Sequence, residues 1–185
     1  MNVPIDKNQG YFPLKMFTDT SIYVGYDTFH VEWYSKYLIA MEEPLMFNKR
    51  QNKSTFRLLW LRIFHNPVSI RIDKQSDDSY SLTWKQCDGA GGYEPGKLVI
   101  NKTKTIDKKT WDTFQDILSK TDYWNFKTNE VEVLGTDGSQ WILEGTDMNN
   151  YHVVDRWTPS GGKFYDCCNF LIELTDLKIK KEDKY

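Results

Sequence analysis

The stretch VSIRIDKQSDDSYSLTWK, residues 68–85, decides the fold class of this chain. Apolar side chains alternate with polar ones over residues 68–73, and the alternation returns over residues 80–85. A period of two residues is typical of a strand with one buried face. Residues 75–79 are polar and suit a turn. The stretch therefore predicts two antiparallel strands joined as a hairpin.

Further strands are predicted on both sides of this hairpin. The apolar run from Phe56 to Phe64 favours a strand, followed by a turn over residues 65–67. Lys97 to Thr105 predicts another strand after a loop rich in glycine. Residues 140–145 and 151–158 predict a second hairpin, joined by the polar residues 146–150.

Three helices are predicted between these blocks. The first begins near Asp27 and ends before Pro44, which disfavours helical geometry in the residue before it. Asp107 is the predicted N-cap of the second helix, and the third begins near Lys163. In the first helix we expect an inner face of Phe29, Trp33, Tyr37 and Met41, and an outer face of Glu32, Lys36 and Glu43.

This order of elements predicts an α+β fold. We expect an antiparallel sheet of about five to seven strands built from local hairpins, with about three helices packed mainly on one face. The other face is expected to stay open. We assign residues 1–27 to an irregular N-terminal arm, residues 28–177 to a single domain, and residues 178–185 to a charged tail in solvent.

Composition excludes several classes of function. The chain has 185 residues, a net charge of −2 and a pI near 5.9, whereas a general nucleic-acid binder carries a basic stripe. No apolar run of about 18 residues is present, so no membrane span is expected. Residues 1–10 lack the apolar centre of a signal peptide, which predicts a cytoplasmic protein, or an exported or lipid-anchored one if a leader has been removed.

The cysteines and histidines do not form a recognisable metal site. Three cysteines stand at positions 87, 167 and 168, and three histidines at 30, 65 and 152. Neither set has the spacing of a structural zinc site, and an odd cysteine count is poor support for disulfides. We therefore expect no metal and no cofactor. Cys87 with His152 contains the parts of a cysteine hydrolase, but a free cysteine at a strand end is more often a small apolar residue.

Two segments contain the candidate site residues. The loop over residues 87–96 is dense in glycine but lacks both the P-loop ending and the dinucleotide-binding spacing, so it is predicted to be a wide turn that uses positive φ. In the hairpin over residues 140–157, Glu144 is expected to reach His152 or Arg156, depending on register, while His152 and Asp155 lie on opposite faces. The candidate binding residues are Asp88, Tyr93, Glu94, Trp141, Glu144, His152, Arg156 and Trp157.

Three strings in the chain resemble a group of uncharacterised bacterial single-domain proteins. They are the segment from Phe29 to Pro44, the loop DGAGGYEPG at residues 88–96, and WILEG at 141–145 followed by YHVVDRW at 151–157. The resemblance covers most of the chain after about residue 27. It implies a single bacterial domain and no particular activity. The resemblance also implies that some members of the group are exported lipoproteins, which favours the exported alternative.

Two functions from different classes follow. The first is a binding domain without catalysis, such as an immunity protein that blocks a toxin, because aromatic residues form 15% of the chain and no complete catalytic set is present. Its partner would be another protein. The alternative is a small hydrolase or ligand-binding enzyme that uses a cleft between the 87–96 loop and the 140–157 hairpin. It would require the acidic and histidine side chains of both segments to converge.

Overall fold

The computed structural model describes residues 10–13, 16–17, 26–47, 53–130 and 137–185. Within these ranges, six strands form one antiparallel sheet in the order β4-β3-β2-β1-β5-β6. The strands are β1 (Ser54–Arg62), β2 (Val68–Lys74), β3 (Tyr80–Cys87), β4 (Leu98–Thr105), β5 (Ser139–Thr146) and β6 (Tyr151–Trp157).

The predicted hairpin over residues 68–85 is confirmed as β2 and β3, with Ile70 opposite Trp84. The first four strands form a meander of neighbours in sequence. The hairpin of β5 and β6 joins this meander on the free side of β1, where Leu58 lies opposite Leu143. Strand β1 consequently lies inside the sheet, although it is the first strand in the chain.

In the part of the chain that the structure describes, three α-helices accompany the sheet, as predicted: α1 (Tyr26–Ala40), α2 (Lys108–Thr121) and α3 (Lys163–Glu173). The predicted cap of α2 is confirmed, because Thr110 N donates to the carboxylate of Asp107 at 2.7 Å. Helices α2 and α3 cover one face of the sheet, where Phe114 and Leu171 are buried in one core with Trp60. The fold is therefore α+β, with two of the three helices on the same face.

Helix α1 covers part of the opposite face, so the expectation of an open face was wrong. Tyr37 and Leu38 of α1 are buried in a second core with Leu59 of β1 and Ile142 of β5. The physical reason is that the central strands are apolar on both faces. A sheet of this kind needs cover on each side to remove both apolar surfaces from water.

The buried face of α1 differs from the prediction at both ends. Phe29 is 56% exposed, and burial begins instead at Val31. Glu43, predicted to face solvent, is almost completely buried. The helix ends at Ala40 and Glu42 adopts a left-handed φ of 52°, which redirects the chain onto the sheet. The outward face predicted from helical spacing therefore does not extend to Glu43.

Both ends of the chain contribute to the packed structure. Most of the predicted arm over residues 1–27 lies outside the described residues, but Tyr11 and Phe12 are buried in the core under α1. In the predicted tail, Lys178 and Lys180 are exposed as expected. Tyr185 is half-buried, and its main-chain oxygen accepts from the indole nitrogen of Trp141 at 3.1 Å. No helix in the described ranges is both long enough and apolar enough to span a lipid bilayer.

Candidate functional site

The segment over residues 87–96, called the glycine loop below, connects β3 to β4 and folds back onto the end of β1. The amide of Gly91 donates to the carbonyl of Arg62 at 2.9 Å, and that of Gly92 donates to the carbonyl of Ile63 at 3.1 Å. These bonds attach the middle of the loop to a strand two positions away in the sheet. The loop is thus part of the packed structure.

Hydrogen bonds inside the glycine loop fix its shape further. Gly89 N donates to the carbonyl of Pro95 at 2.9 Å. The carboxylate of Asp88 accepts from the amide of Lys97 at 2.6 Å. Asp88, a candidate binding residue, therefore closes the base of the loop, which is a common role for aspartate in turns.

Close packing is the reason for glycine at position 91. A Cβ atom there would lie 2.6 Å from the backbone nitrogen and oxygen of Arg62. Among the described glycines, only Gly96 and Gly162 have φ in the left-handed range. The predicted use of positive φ in this loop is therefore confirmed at Gly96, whereas close approach of two backbones is the cause at Gly91.

Two side chains of helix α1 hydrogen-bond to the glycine loop. The hydroxyl of Tyr37 donates to the carbonyls of Ala90 and Tyr93, both at 3.0 Å. The Lys36 ammonium donates to the carbonyl of Tyr93 at 2.6 Å and to the carboxylate of Glu94 at 3.1 Å. Burial is the main cause that raises the pKa of Tyr37 to about 12, so the phenol keeps its proton and remains a donor.

Phe64, in the turn after β1, and Tyr93, in the glycine loop, form an exposed pair of aromatic rings. Phe64 is 59% exposed and Tyr93 is 61% exposed. Their ring centroids are 6.4 Å apart, with an angle of 35° between the planes. Large exposed apolar side chains cost free energy unless a partner covers them. We call Phe64 and Tyr93 the aromatic patch.

The predicted hairpin of β5 and β6 separates its candidate residues onto two faces. Glu144 lies opposite Val153 in the register, so its side chain is directed beneath α1, where Tyr151 donates to it at 2.8 Å. His152 and Arg156 are directed to the face covered by α2 and α3. The expected contact of Glu144 with either of them was therefore wrong.

Glu144 belongs instead to a buried ionic cluster between the sheet and the end of α1. Arg57 of β1 pairs with both Glu144 and Glu43. Glu43 also pairs with Arg71 of β2 at 2.7 Å and with Lys85 of β3 at 3.2 Å. Burial alone would raise the pKa of Glu43, but the three cations outweigh it and hold the pKa below 4.5. Burial has the larger effect at Glu144 and raises the pKa of that carboxyl, against the opposing effects of Arg57 and Tyr151.

His152 and Arg156 contact main-chain carbonyls of residues 126–128, a segment that borders β6. The Nε2 atom of His152 lies 2.7 Å from the carbonyl oxygen of Phe126. Arg156 donates to the carbonyls of Thr128 and Lys127, both at 2.8 Å. Burial lowers the pKa of His152 below 6.5, which favours the neutral ring. These contacts indicate a structural role for both side chains.

The two remaining candidate residues are tryptophans with different surroundings. Trp141 is fully buried against Trp60, with ring centroids 4.9 Å apart. Trp157 is half-buried at the end of β6. Of the eight candidate residues, the structure brings Asp88, Tyr93 and Glu94 together on the exposed loop. It places the others in or beside the two cores.

Cys87, at the start of the glycine loop, is buried and free. Burial is the largest cause that raises its pKa to about 11. A cysteine nucleophile reacts as the thiolate, which requires a lowered pKa. The surroundings of Cys87 therefore favour the apolar role over the catalytic one.

One concave place in the described residues lies apart from all eight candidate residues. A depression of about 350 Å³ between α2 and α3 is lined by Ile117, Lys120, Thr121, Lys163 and Asp166. In the part of the chain that the structure describes, no three His, Cys, Asp or Glu side chains are placed to hold a metal ion.

Phe64 and Lys36 belong to this candidate site but are not among the eight candidate residues predicted from the sequence. Phe64 was assigned to a strand, but β1 ends at Arg62 and leaves Phe64 in the following turn. The predicted turn over residues 65–67 could have indicated that Phe64 is exposed, because an apolar ring next to a turn has no core to pack against. Lys36 was assigned to the outer face of α1, and it is there that it meets Glu94.

Comparisons with known proteins add no family to this description. No model of a protein family matches the chain, and no curated protein sequence is significantly similar to it. The resemblance to bacterial single-domain proteins therefore remains a prediction.

Proposed function

We propose that this protein is a binding domain without catalysis that contacts another protein through the aromatic patch of Phe64 and Tyr93. The form of binding domain we favour is a bacterial immunity protein, which binds a toxin and blocks its active site. The observation that carries the proposal is the pairing of two rings, each more than half exposed, one in the turn after β1 and one in the glycine loop. Exposed aromatic residues are enriched among the residues that dominate protein–protein binding.

The rigidity of the glycine loop supports this proposal. Backbone bonds attach the loop to the end of β1, and Tyr37 and Lys36 hold it from α1. A surface that is already ordered loses little conformational entropy when it binds. The patch therefore resembles a preformed contact surface, in which the rings need no rearrangement to meet a partner.

Acidic side chains near the patch favour a basic partner. Glu94 follows Tyr93 and is largely exposed. Asp183 lies beside the turn that contains Phe64, since its carboxylate is 3.4 Å from Nε2 of His65. The Tyr185 hydroxyl lies 2.8 Å from Nδ1 of His65, the residue after Phe64. Acids around an apolar centre would steer a basic surface toward the patch.

The hydrolase alternative receives less support from the same geometry. Acid–base catalysis needs its groups within hydrogen-bonding reach of one substrate. Glu144 lies beneath α1, whereas His152 lies on the opposite face of the sheet and Asp88 closes a loop. We further propose the cytoplasm as the compartment, because three free cysteines suit a reducing environment.

The test compares two double variants of the full chain as affinity baits in extracts of the source cells. Phe64→Ala with Tyr93→Ala removes the patch. Val99→Ala with Met148→Ala removes two other exposed apolar side chains and is the matched control. We expect a basic protein to be retained by the wild type and by the control, and to be lost from the patch variant. Loss of two central aromatic contacts should weaken binding by about 2 kcal/mol or more.

Isothermal titration with the purified partner then gives the affinities directly. Both double variants should unfold at the wild-type urea concentration, because exposed side chains contribute little to stability. Equal affinity of the partner for the wild type and the patch variant would contradict the proposal. A turnover assay of the partner, with and without this protein, tests the immunity form separately.

A further inference from the structure

Strand β4 is an open edge of the sheet in the part of the chain that the structure describes. Its only strand partner there is β3. All five residues from 101 to 105 are exposed. The opposite edge is different, because residues 126–128 border β6, where Asp155 N donates to the carbonyl of Thr128 at 2.7 Å. The sheet thus has one bordered edge and one open edge.

The direction of the main-chain groups on β4 follows from one hydrogen bond at the end of the strand. Ile106 N donates to the carbonyl of Tyr80 at 3.1 Å. Along an antiparallel strand, residues whose N–H and C=O face the neighbouring strand alternate with residues whose groups point away from it. The register with β3 has no shift over residues 101–105. The N–H and C=O groups of Asn101, Thr103 and Thr105 therefore point away from β3, where they can pair with a further strand.

Strand β4 lacks most of the features that prevent strand pairing at a sheet edge. Natural edge strands are commonly very short, or they are interrupted by proline or by a bulge. Strand β4 has eight residues and no proline. The one shift in its register with β3 lies at Gln86 and Cys87, outside the pairs made by residues 101–105. Its lysines are the exception, and their charge limits which strand can be added.

The lysines of β4 give the open edge a positive charge. The strand contains Lys102 and Lys104 and no acidic residue. The ammonium of Lys102 lies 2.5 Å from the carboxylate of Asp176. That of Lys104 donates to the carbonyl of Leu174 at 2.6 Å, and among the described residues it has no carboxylate within salt-bridge distance. Both lysines lie on one face of the sheet, beside the Trp84 ring, because they are two positions apart.

We propose that the open edge of β4 binds an extended acidic segment of another protein, which is added to the sheet as an antiparallel strand. Main-chain hydrogen bonds to residues 101–105 supply affinity, and acids at alternate positions, opposite Lys102 and Lys104, supply selectivity. A second copy of this chain fits less well, because self-pairing centred on Lys102 or Thr103 places lysine opposite lysine. The inference is independent of the aromatic patch, for which a basic partner is proposed.

The experiment titrates the full chain with a synthetic peptide that carries acids at alternate positions. The probe is Ser-Thr-Glu-Val-Glu-Thr-Ser with both ends blocked. By NMR titration we expect saturable binding, together with slower hydrogen exchange at the amides of Asn101, Thr103 and Thr105. A peptide with lysine in place of both glutamates should bind at least about tenfold more weakly, because like charges then lie opposite each other.

Two N-methylated forms of the probe distinguish strand addition from a general attraction between charges. Glutamates opposite Lys102 and Lys104 direct their N–H groups away from β4, whereas the residues between and beside them direct their N–H groups toward it. Methylation of both glutamate nitrogens should therefore be tolerated. Methylation of the valine nitrogen and the second threonine nitrogen should weaken binding at least about tenfold. Equal affinity of the two methylated forms, or a probe that does not bind, would overturn the proposal.

Substitution of Asn101 tests the edge from the side of the protein. Asn101→Pro removes an N–H that points away from β3, so it spares the hydrogen bonds between β3 and β4. The probe should bind this variant at least about tenfold more weakly, whereas Asn101→Ala, which keeps the N–H, should bind it as the wild type does. Unchanged affinity for Asn101→Pro would contradict strand addition.

A charge variant covers the case in which Asn101→Pro does not fold. Lys102→Gln with Lys104→Gln keeps the backbone of β4 and should weaken the probe about fivefold, because two ion pairs with the peptide are lost. Lys120→Gln with Lys127→Gln removes two exposed lysines elsewhere and should leave the affinity unchanged. Sedimentation measures self-association, and a wild-type dimer that the Lys102 and Lys104 substitutions alter would assign the edge to a second copy and overturn the proposed partner.

Discussion

Asp155 is a buried carboxylate whose ionisation should set how stability varies with pH. It accepts a hydrogen bond from the Tyr34 hydroxyl at 2.7 Å. Gln140, with its amide turned to donate, reaches the other oxygen at 2.9 Å. Burial is the largest influence and raises the pKa of Asp155 from 3.8 to about 7, against the opposing effects of Tyr34 and the Arg156 charge.

The sign and size of the effect follow from the two pKa values. Below 3.8 the carboxyl is protonated in the folded and unfolded chains alike, so Asp155 costs nothing. As pH rises toward 7, the unfolded chain ionises first and stability is lost. A difference of about three pKa units corresponds to about 4 kcal/mol, of which about 2–3 kcal/mol is lost above pH 5.

Asp155→Asn removes this titration and keeps the shape of the side chain. Urea unfolding from about pH 5 to about pH 8 should show the variant gaining about 2–3 kcal/mol of stability relative to the wild type. Asp116→Asn, at an exposed position of α2, is the control for removing one charge. A constant difference between Asp155→Asn and wild type across this range, or one that changes in favour of the wild type, would refute the reasoning.

Three further predictions test the buried and close-packed parts of the fold. Gly91→Ala should destabilise the protein by about 1–3 kcal/mol in urea unfolding, because the added Cβ would lie 2.6 Å from the Arg62 backbone. Gly161→Ala is the control and should have little effect, since the space around Gly161 is open. Glu43→Gln should cost about 3–5 kcal/mol, because Arg57, Arg71 and Lys85 lose the buried anion that they share. The wild-type advantage should fade as pH drops below 4.5, which acid titration with circular dichroism measures. Cys87 should not react with a thiol reagent until urea unfolds the chain, since its thiol is buried with a pKa of about 11; labelling of the native protein within minutes would contradict this.

Local patterns in the sequence predicted most of the secondary structure. The alternation over residues 68–85 is sufficient to identify β2 and β3, because each side chain's face depends only on its neighbours. The N-cap at Asp107 likewise depends on a residue three positions away. Elements whose stabilising contacts lie within a few residues are the ones that single-sequence reasoning describes well.

The parts that were missed depend on contacts between distant residues. Glu43 follows a helix like any exposed acid, and only the fold places cations from β1, β2 and β3 around it. Gly91 fits a generic turn, and only the return of the loop onto Arg62 explains its lack of a side chain. Of the two rings in the aromatic patch, Tyr93 is among the candidate binding residues predicted from the sequence, and Phe64 is not.

The position of β1 inside the sheet has a consequence for how the chain folds. The meander of β1 to β4 and the hairpin of β5 and β6 each close through short connections, but they meet only where β1 pairs with β5. Long-range strand pairing is slow, because a long loop must be ordered before its contacts are gained. We therefore expect the meander and the hairpin to form early and to dock late in folding, when β1 pairs with β5 along the seam between them. Until that step is complete, both seam strands expose unpaired edges, and the newly made chain is then most vulnerable to aggregation.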